Sequence, residues 1–253
     1  MIRALLARYR QGYRTIRFPG EPPVMPARFQ GRPSVRPDGC PDDCAKCAEN
    51  CPTEAIKAGS GTVSIDLGRC LFCGRCAEAC APGALVHTAE YRIATSDRED
   101  LVTDGRTYRL ARSLEESCLR LFGRSLRLRS VSAGGCNGCE VETAVLNTVV
   151  YDLGRFGIQF VASPRHADGI LITGPVTRNM SSALVRTYQA IPPPKIMILV
   201  GACAISGGPY RGHPETRDGA EFMGPAVLYV PGCPPHPLTI LDGLLRLIGR
   251  IKP

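Results

Sequence analysis

Twelve of the thirteen cysteines of this 253-residue sequence fall into spacings that suit metal–thiolate chemistry. Two runs repeat with a period of 29 to 30 residues: Cys40-x3-Cys44-x2-Cys47-x3-Cys51 and Cys70-x2-Cys73-x2-Cys76-x3-Cys80. Three closely spaced thiolates of one run can wrap an iron–sulfur cube, while the fourth, beyond a short turn, reaches the other cube. By that rule one [4Fe–4S] cluster takes Cys40, Cys44, Cys47 and Cys80, and a second takes Cys70, Cys73, Cys76 and Cys51. The first run carries one extra residue, Asp42 or Asp43, and the second places Ala81 before Pro82, yet neither departure removes a ligand. Structural zinc prefers two cysteine pairs a dozen or more residues apart. A disulfide framework belongs to short secreted chains with a leader, which the opening residues do not resemble. The cysteines therefore point to single-electron transfer in a reducing compartment.

Four further cysteines stand in turns marked by glycine or proline: Cys136 and Cys139 around Asn137-Gly138, Cys203 after Gly201-Ala202, and Cys233 between Gly232 and Pro234. Each follows a short run rich in Ile, Leu and Val. Strands are expected at 126–131, 158–162, 169–173, 196–200 and 227–230, and helices at 140–153, 181–189 and 238–251. Apolar strands alternating with helices imply a parallel sheet covered on both faces, a doubly wound α/β fold. The carboxyl ends of such strands share one edge, so distant turns can meet there. Four converging thiolates predict a third [4Fe–4S] cluster on Cys136, Cys139, Cys203 and Cys233. No glycine-rich phosphate-binding pattern competes for these turns. Cys118, in a leucine-bearing stretch, is expected in the core.

The formal net charge of +8 is unevenly spread. The first 36 residues hold eight arginines against one acid, Glu21, a balance of +7 that leaves +1 for all the rest. Ile2, Leu5, Leu6, Tyr9 and Tyr13 recur at helical spacing among those arginines, as in an amphipathic helix lying on a membrane surface or a partner. Pro19, Pro22, Pro23 and Pro26 suggest an extended strap after it. Three bound clusters, each about −2, would make the remainder net acidic, which argues against nucleic acid as a partner. No apolar run approaches the roughly 20 residues of a membrane span. The expected organisation is a basic arm and strap (1–36), a two-cluster domain (37–90), a charged, partly helical connector (91–125) and the α/β domain (126–253).

Residues 35–90 resemble the two-cluster ferredoxins. Residues 125–250 resemble the small subunit shared by [NiFe] hydrogenases and by respiratory complex I, where it is the 20 kDa subunit. Cys136, Cys139, Cys203 and Cys233 match that family's ligands to the cluster nearest the active site. The Cys136-x2-Cys139 spacing is the hydrogenase one, since the complex I form usually has its first two ligands adjacent. Cys136-Asn137-Gly138-Cys139-Glu140, Ser163-Pro164-Arg165-His166-Ala167-Asp168 and Pro231-Gly232-Cys233-Pro234-Pro235 are most similar to membrane-associated, energy-converting hydrogenases of the formate hydrogenlyase type. Arg28-Phe29-Gln30-Gly31-Arg32-Pro33 resembles the separate two-cluster subunit of such complexes, so the sequence looks like a fusion of the two.

The resemblance implies a ferredoxin-like domain followed by a flavodoxin-like doubly wound domain, with three [4Fe–4S] clusters feeding a nickel–iron centre in a partner large subunit. It also implies membrane subunits, an electron-donor module and a peripheral place on the cytoplasmic face of the inner membrane. An acid at the position of Glu142 is implied in proton transfer, although acids in a first helical turn also serve the helix dipole. Arg165 and His166 follow the second strand, facing the third cluster, the large subunit or solvent. Two other readings stand beside this one: a complex I-like, quinone-linked subunit, and a stand-alone iron–sulfur carrier.

Overall fold

The computed structural model describes every residue except 1, 37–39, 42–43, 60–61, 105–107, 123–124 and 252–253. The extra residue at Asp42 or Asp43 lies outside the described residues. Helix α1 (Ile2–Gln11) has no buried residue. At 100° per residue, Ile2, Leu5, Leu6 and Tyr9 share one face, and Arg3, Arg8 and Arg10 flank it. The strap that follows is tied to the α/β half: Thr15 Oγ1 donates to Val149 O at 2.7 Å, the Ile16 amide donates to Val150 O at 2.9 Å, and Phe18 is buried.

The cysteine-rich segment is built from small pieces. Strand β1 (Pro33–Val35) is followed by α2 (Lys46–Glu49), the hairpin strands β2 (Ile56–Gly59) and β3 (Thr62–Asp66), and α3 (Arg75–Glu78). Next come β4 (Leu85–His87), which pairs antiparallel with β1, and β5 (Val102–Thr103), which adds to β3 to make a three-stranded antiparallel sheet. The internal repeat surfaces as two one-turn helices, Lys46-Cys47-Ala48-Glu49 and Arg75-Cys76-Ala77-Glu78, packed against each other.

After α4 (Glu116–Phe122) the α/β unit runs β6 (Leu126–Ser132), α5 (Gly138–Val145), β7 (Ile158–Phe160), β8 (Gly169–Thr173), α6 (Arg178–Gln189) and β9 (Ile196–Val200). It closes with α7 (Ala202–Ser206), β10 (Leu228–Val230) and α8 (Pro237–Leu247). The five strands are all parallel in the order β7-β6-β8-β9-β10. Numbered within the sheet this is 2-1-3-4-5, the order of flavodoxin-like doubly wound domains. Every residue of β8 and β9 is buried, so these strands read as unbroken apolar runs, not alternating ones. One face packs Leu128, Leu171 and Ile198 against Leu241 and Leu244 of α8. The other packs Ile170, Ile172 and Leu199 with Leu184 of α6 and Ile205 of α7. Ile65 and Leu67 belong to this second cluster, so the cysteine-rich segment shares a core with the sheet.

Two helices are shorter than their patterns suggest. Helix α5 stops at Val145, well before 153, because the chain tightens through the Leu146 amide to Thr143 O into a stretch containing β-branched Thr148, Val149 and Val150, then reverses at Asp152 with φ 49°. Helix α8 ends at Leu247, ahead of Gly249 with φ 70°. Among its described residues the connector is helical only at α4 and in a short 3-10 turn, Glu99–Leu101. It crosses to the α/β unit through paired amides between Thr95 and Tyr229 and through the Leu114 amide to Leu247 O. Among the described residues no helix is long and apolar enough to cross a membrane.

Candidate functional site

The repeated cysteine runs surround two cavities. Cys40, Cys44 and Cys47 from the first run and Cys80 from the end of the second line one of them, with about 330 Å³ of atom-free space, closed by Val35, Val63 and Leu85. Cys70, Cys73 and Cys76, with Cys51 from the end of the first run, line the other, about 350 Å³, beside Ile56, Ile65 and His87. The exchange of the fourth cysteine follows from the build. Each one-turn helix buries the third cysteine of its run, Cys47 or Cys76, and the two helices pack against each other. Backbone amides point at several sulfurs: Ala55 to Cys51 Sγ at 3.2 Å, Phe72 to Cys70 Sγ at 3.3 Å and Leu85 to Cys80 Sγ at 3.3 Å. Such donors stabilise negative charge on sulfur. His87 Nε2 stands 3.8 Å from Cys76 Sγ.

A third group gathers at the carboxyl edge of the parallel sheet. Cys136 and Cys139 follow β6, Cys203 opens α7 just after β9, and Cys233 follows β10. The turns are laced together by the Gly201 amide to Val230 O at 2.8 Å and the Ala202 amide to Gly232 O at 2.9 Å. Cys139 Sγ presses so close to Gly201 that a Cβ there would lie 2.5 Å from it. Cys203 is buried and Cys139 half-buried, whereas Cys136 and Cys233 are exposed. Cys118 packs from α4 against the core.

Burial dominates the electrostatics of these thiols and pushes their pKa values up, to about 12 for Cys70, about 11 for Cys76 and about 12 for Cys203. Cys47, Cys139 and Cys233 are raised for the same reason. Neighbouring thiols add a smaller upward push to the same groups. Cys47 responds to Cys40 and Cys80, Cys70 to Cys76, Cys51 and Cys73, and Cys139 to Cys203, Cys233 and Cys136. Cys233 responds to Cys136 and also to Cys73, so the second and third groups approach each other at that edge. A metal binds the thiolate, so uptake at these sites would have to displace their protons and would release them.

The donor sets fit an iron–sulfur cube. They are all-thiolate, which suits soft metals. Among the described residues no three His, Cys, Asp or Glu side chains close tightly enough to hold a single ion. The sulfurs of the two repeated runs instead surround spaces, as a polynuclear cluster requires.

Of the acids after Cys139, Glu140 is the one built into the third group. Its Oε1 accepts hydrogen bonds from Ser132 Oγ at 2.6 Å and Thr173 Oγ1 at 2.7 Å, at the ends of β6 and β8, and its charge bears on Cys139 and Cys203. Glu142 is half-buried near Tyr151, and burial raises its carboxyl pKa. Arg165 and His166 are exposed on the 3-10 turn Pro164–His166 after β7. The anchoring of Glu140 by hydroxyls forty residues apart is tertiary, and no local pattern announces it.

Residues 136–247 match the family described as NADH ubiquinone oxidoreductase, 20 Kd subunit. The chain is 42% identical over 140 residues to formate hydrogenlyase subunit 7 of Escherichia coli, across 55% of each chain, so it spans about half of that relative's length. It is 38% identical over 143 residues to the probable membrane-bound hydrogenase subunit mbhJ of Pyrococcus furiosus, covering 56% of this chain and 85% of that one. It is also 38% identical over 133 residues to a subunit of the NADH-quinone oxidoreductase of Bacteroides thetaiotaomicron, covering 52% of this chain and 66% of the relative.

Proposed function

This chain belongs to the family of the NADH ubiquinone oxidoreductase 20 kDa subunit, and from that premise we propose that it is the electron-relay subunit of a membrane-associated oxidoreductase complex. Residues 37–90 form a ferredoxin-like domain, 126–253 the family's α/β domain, 91–125 their connector and 1–36 a basic arm and strap. Cys40, Cys44, Cys47 and Cys80 hold one [4Fe–4S] cluster, Cys51, Cys70, Cys73 and Cys76 a second, and Cys136, Cys139, Cys203 and Cys233 a third. The observation that carries this reading is the gathering of twelve thiols into three sets of four, two of them around cavities.

Bound clusters supply reversible one-electron exchange; the protein supplies spacing, charge and access. Amides aimed at Cys51, Cys70 and Cys80 stabilise their thiolates. Exposed Cys136 and Cys233 turn the third set outward, toward a partner that receives the electron. The Cys136-x2-Cys139 spacing favours a large subunit with a nickel–iron centre, which reduces protons or oxidises dihydrogen. Glu142 assists proton movement there. An electron-donor module feeds the first two clusters, and membrane subunits hold the assembly to the cytoplasmic face of the inner membrane.

Anaerobic purification with copurifying partners, nickel analysis and hydrogen-dependent dye reduction test the reading. Nickel and hydrogen-dependent activity are expected. A nickel-free, hydrogen-inactive complex that reduces quinone would replace it with a complex I-like role.

A further inference from the structure

We infer that Asp66, Gly68, Arg98 and Ser206 form a rigid joint that sets the separation between the second and third cysteine groups. The inference rests on the electron-relay reading above and assigns these residues a positioning role within it.

On one side of the joint lies the loop that leads into Cys70. Asp66 organises it: its backbone carbonyl accepts the Cys70 amide at 3.0 Å, and its Oδ1 accepts the Gly68 amide at 2.9 Å. On the other side lies α7, which carries Cys203 one turn before Ser206. The buried Ser206 Oγ donates to Gly68 O at 2.8 Å, joining the two ligand-bearing elements directly. Arg98 adds a second tie, from the Cys70 loop to the 3-10 turn Glu221–Met223. Its Nη1 and Nη2 grip Asp66 Oδ1 and Oδ2 at 2.9 and 2.7 Å, and its Nε stands 3.3 Å from Glu221 Oε1, in the α/β unit. Bidentate arginine–carboxylate pairs fix orientation as well as distance.

The fit leaves no slack. A Cβ on Gly68 would lie 2.9 Å from Ile205 Cγ2 and 3.0 Å from Arg98 Cζ, so a larger residue must displace one of these side chains or push the Cys70 loop away from α7. The adjacent Leu67 is fully buried, and its amide is bonded to Leu101 O at 2.9 Å, so the loop cannot retreat locally. Displacement would instead open the gap between the two thiol groups. Electron exchange between separate centres weakens steeply with distance, which gives these four residues leverage over the rate without touching any cluster.

The test uses the full chain, purified anaerobically and reduced, as wild type, Gly68→Ala and Ser206→Ala. Iron per chain and each cluster's own electron paramagnetic resonance signature report loading; the magnetic interaction between the second and third clusters reports their separation. The expected result is unchanged iron and unchanged individual signatures, with the interaction weakened in Gly68→Ala and, to a smaller degree, in Ser206→Ala. Ser206→Ala removes one oxygen and adds no bulk, so it answers the question even where Gly68→Ala fails to load. Fully loaded Ser206→Ala protein with the wild-type interaction would overturn the inference. Wild-type protein holding too little iron for three clusters would instead overturn the relay reading on which it rests.

Discussion

Gly201→Ala is the substitution whose consequence can be worked out most fully. Gly201 has φ 91° and ψ 152°, a combination that only glycine adopts freely. Any other residue there costs about 1–3 kcal/mol in backbone strain. The added methyl would also stand 2.5 Å from Cys139 Sγ, well inside contact distance. Relieving such overpacking costs about another 1–3 kcal/mol. The strand end cannot simply slide, because the Gly201 amide is bonded to Val230 O and its neighbour to Gly232 O. The combined cost of about 2–6 kcal/mol is a large part of the roughly 5–15 kcal/mol that holds a typical domain. Cys139 is the group that must move, so the third cluster should be lost while the two in the cysteine-rich segment remain. Thermal unfolding followed by circular dichroism should show a midpoint lowered by about 2–4 °C per kcal/mol. Iron should fall from about twelve to about eight per chain. A variant that keeps all its iron and melts within about 2 °C of the parent would refute the packing argument at the third site.

Three further outcomes follow from the same geometry. Cys51→Ser, although it lies in the first run, should abolish the signal of the cluster held with Cys70, Cys73 and Cys76 and leave the other two, as read by electron paramagnetic resonance. Arg246 Nε bonds Asp242 Oδ2 at 2.7 Å with both side chains buried, so Arg246→Leu alone should cost about 3–5 kcal/mol in denaturant titration, whereas replacing both residues with apolar ones should be nearly neutral. Burial raises the Glu142 carboxyl pKa, so the folded chain keeps that proton to higher pH than the unfolded chain. Stability should fall as pH rises from about 4.3 through the raised value, and Glu142→Gln should remove that fall. The same variant should slow turnover with clusters intact; unchanged turnover would discard its proton role.

The parallel sheet was legible because strands β8, β9 and β10 are buried on both faces. Runs such as Gly169–Thr173 and Ile196–Val200 carry an apolar signature that needs no partner to be read. The expected grouping of the cysteines draws on a different signal: residues two or three apart, followed by a short turn, leave few ways to arrange their side chains. What stayed hidden is held by long-range contacts. Strand β1 pairs with β4 across some fifty residues, and nothing in Pro33-Ser34-Val35 marks it as a strand. The five-residue helix α7 is too short to show a period, yet it carries Cys203 and Ser206. Helix α5 ran short because Thr148, Val149 and Val150 favour other backbone geometry, a weak local preference that the apolar pattern masks. The joint at Asp66, Arg98 and Glu221 draws on three separate elements, and the core shared between Leu67 and Ile205 depends on docking that no periodicity encodes.

In the proposed relay one chain holds three four-iron clusters and passes electrons outward through the third. Reductive titration of the anaerobically purified complex, with iron counted per chain and spins quantified at each step, tests it most directly. About twelve irons and three separately reducible clusters are expected, of which the third disappears when Cys233 is replaced by serine. Iron well below that number, or a Cys233→Ser variant that keeps all three signals, would contradict it.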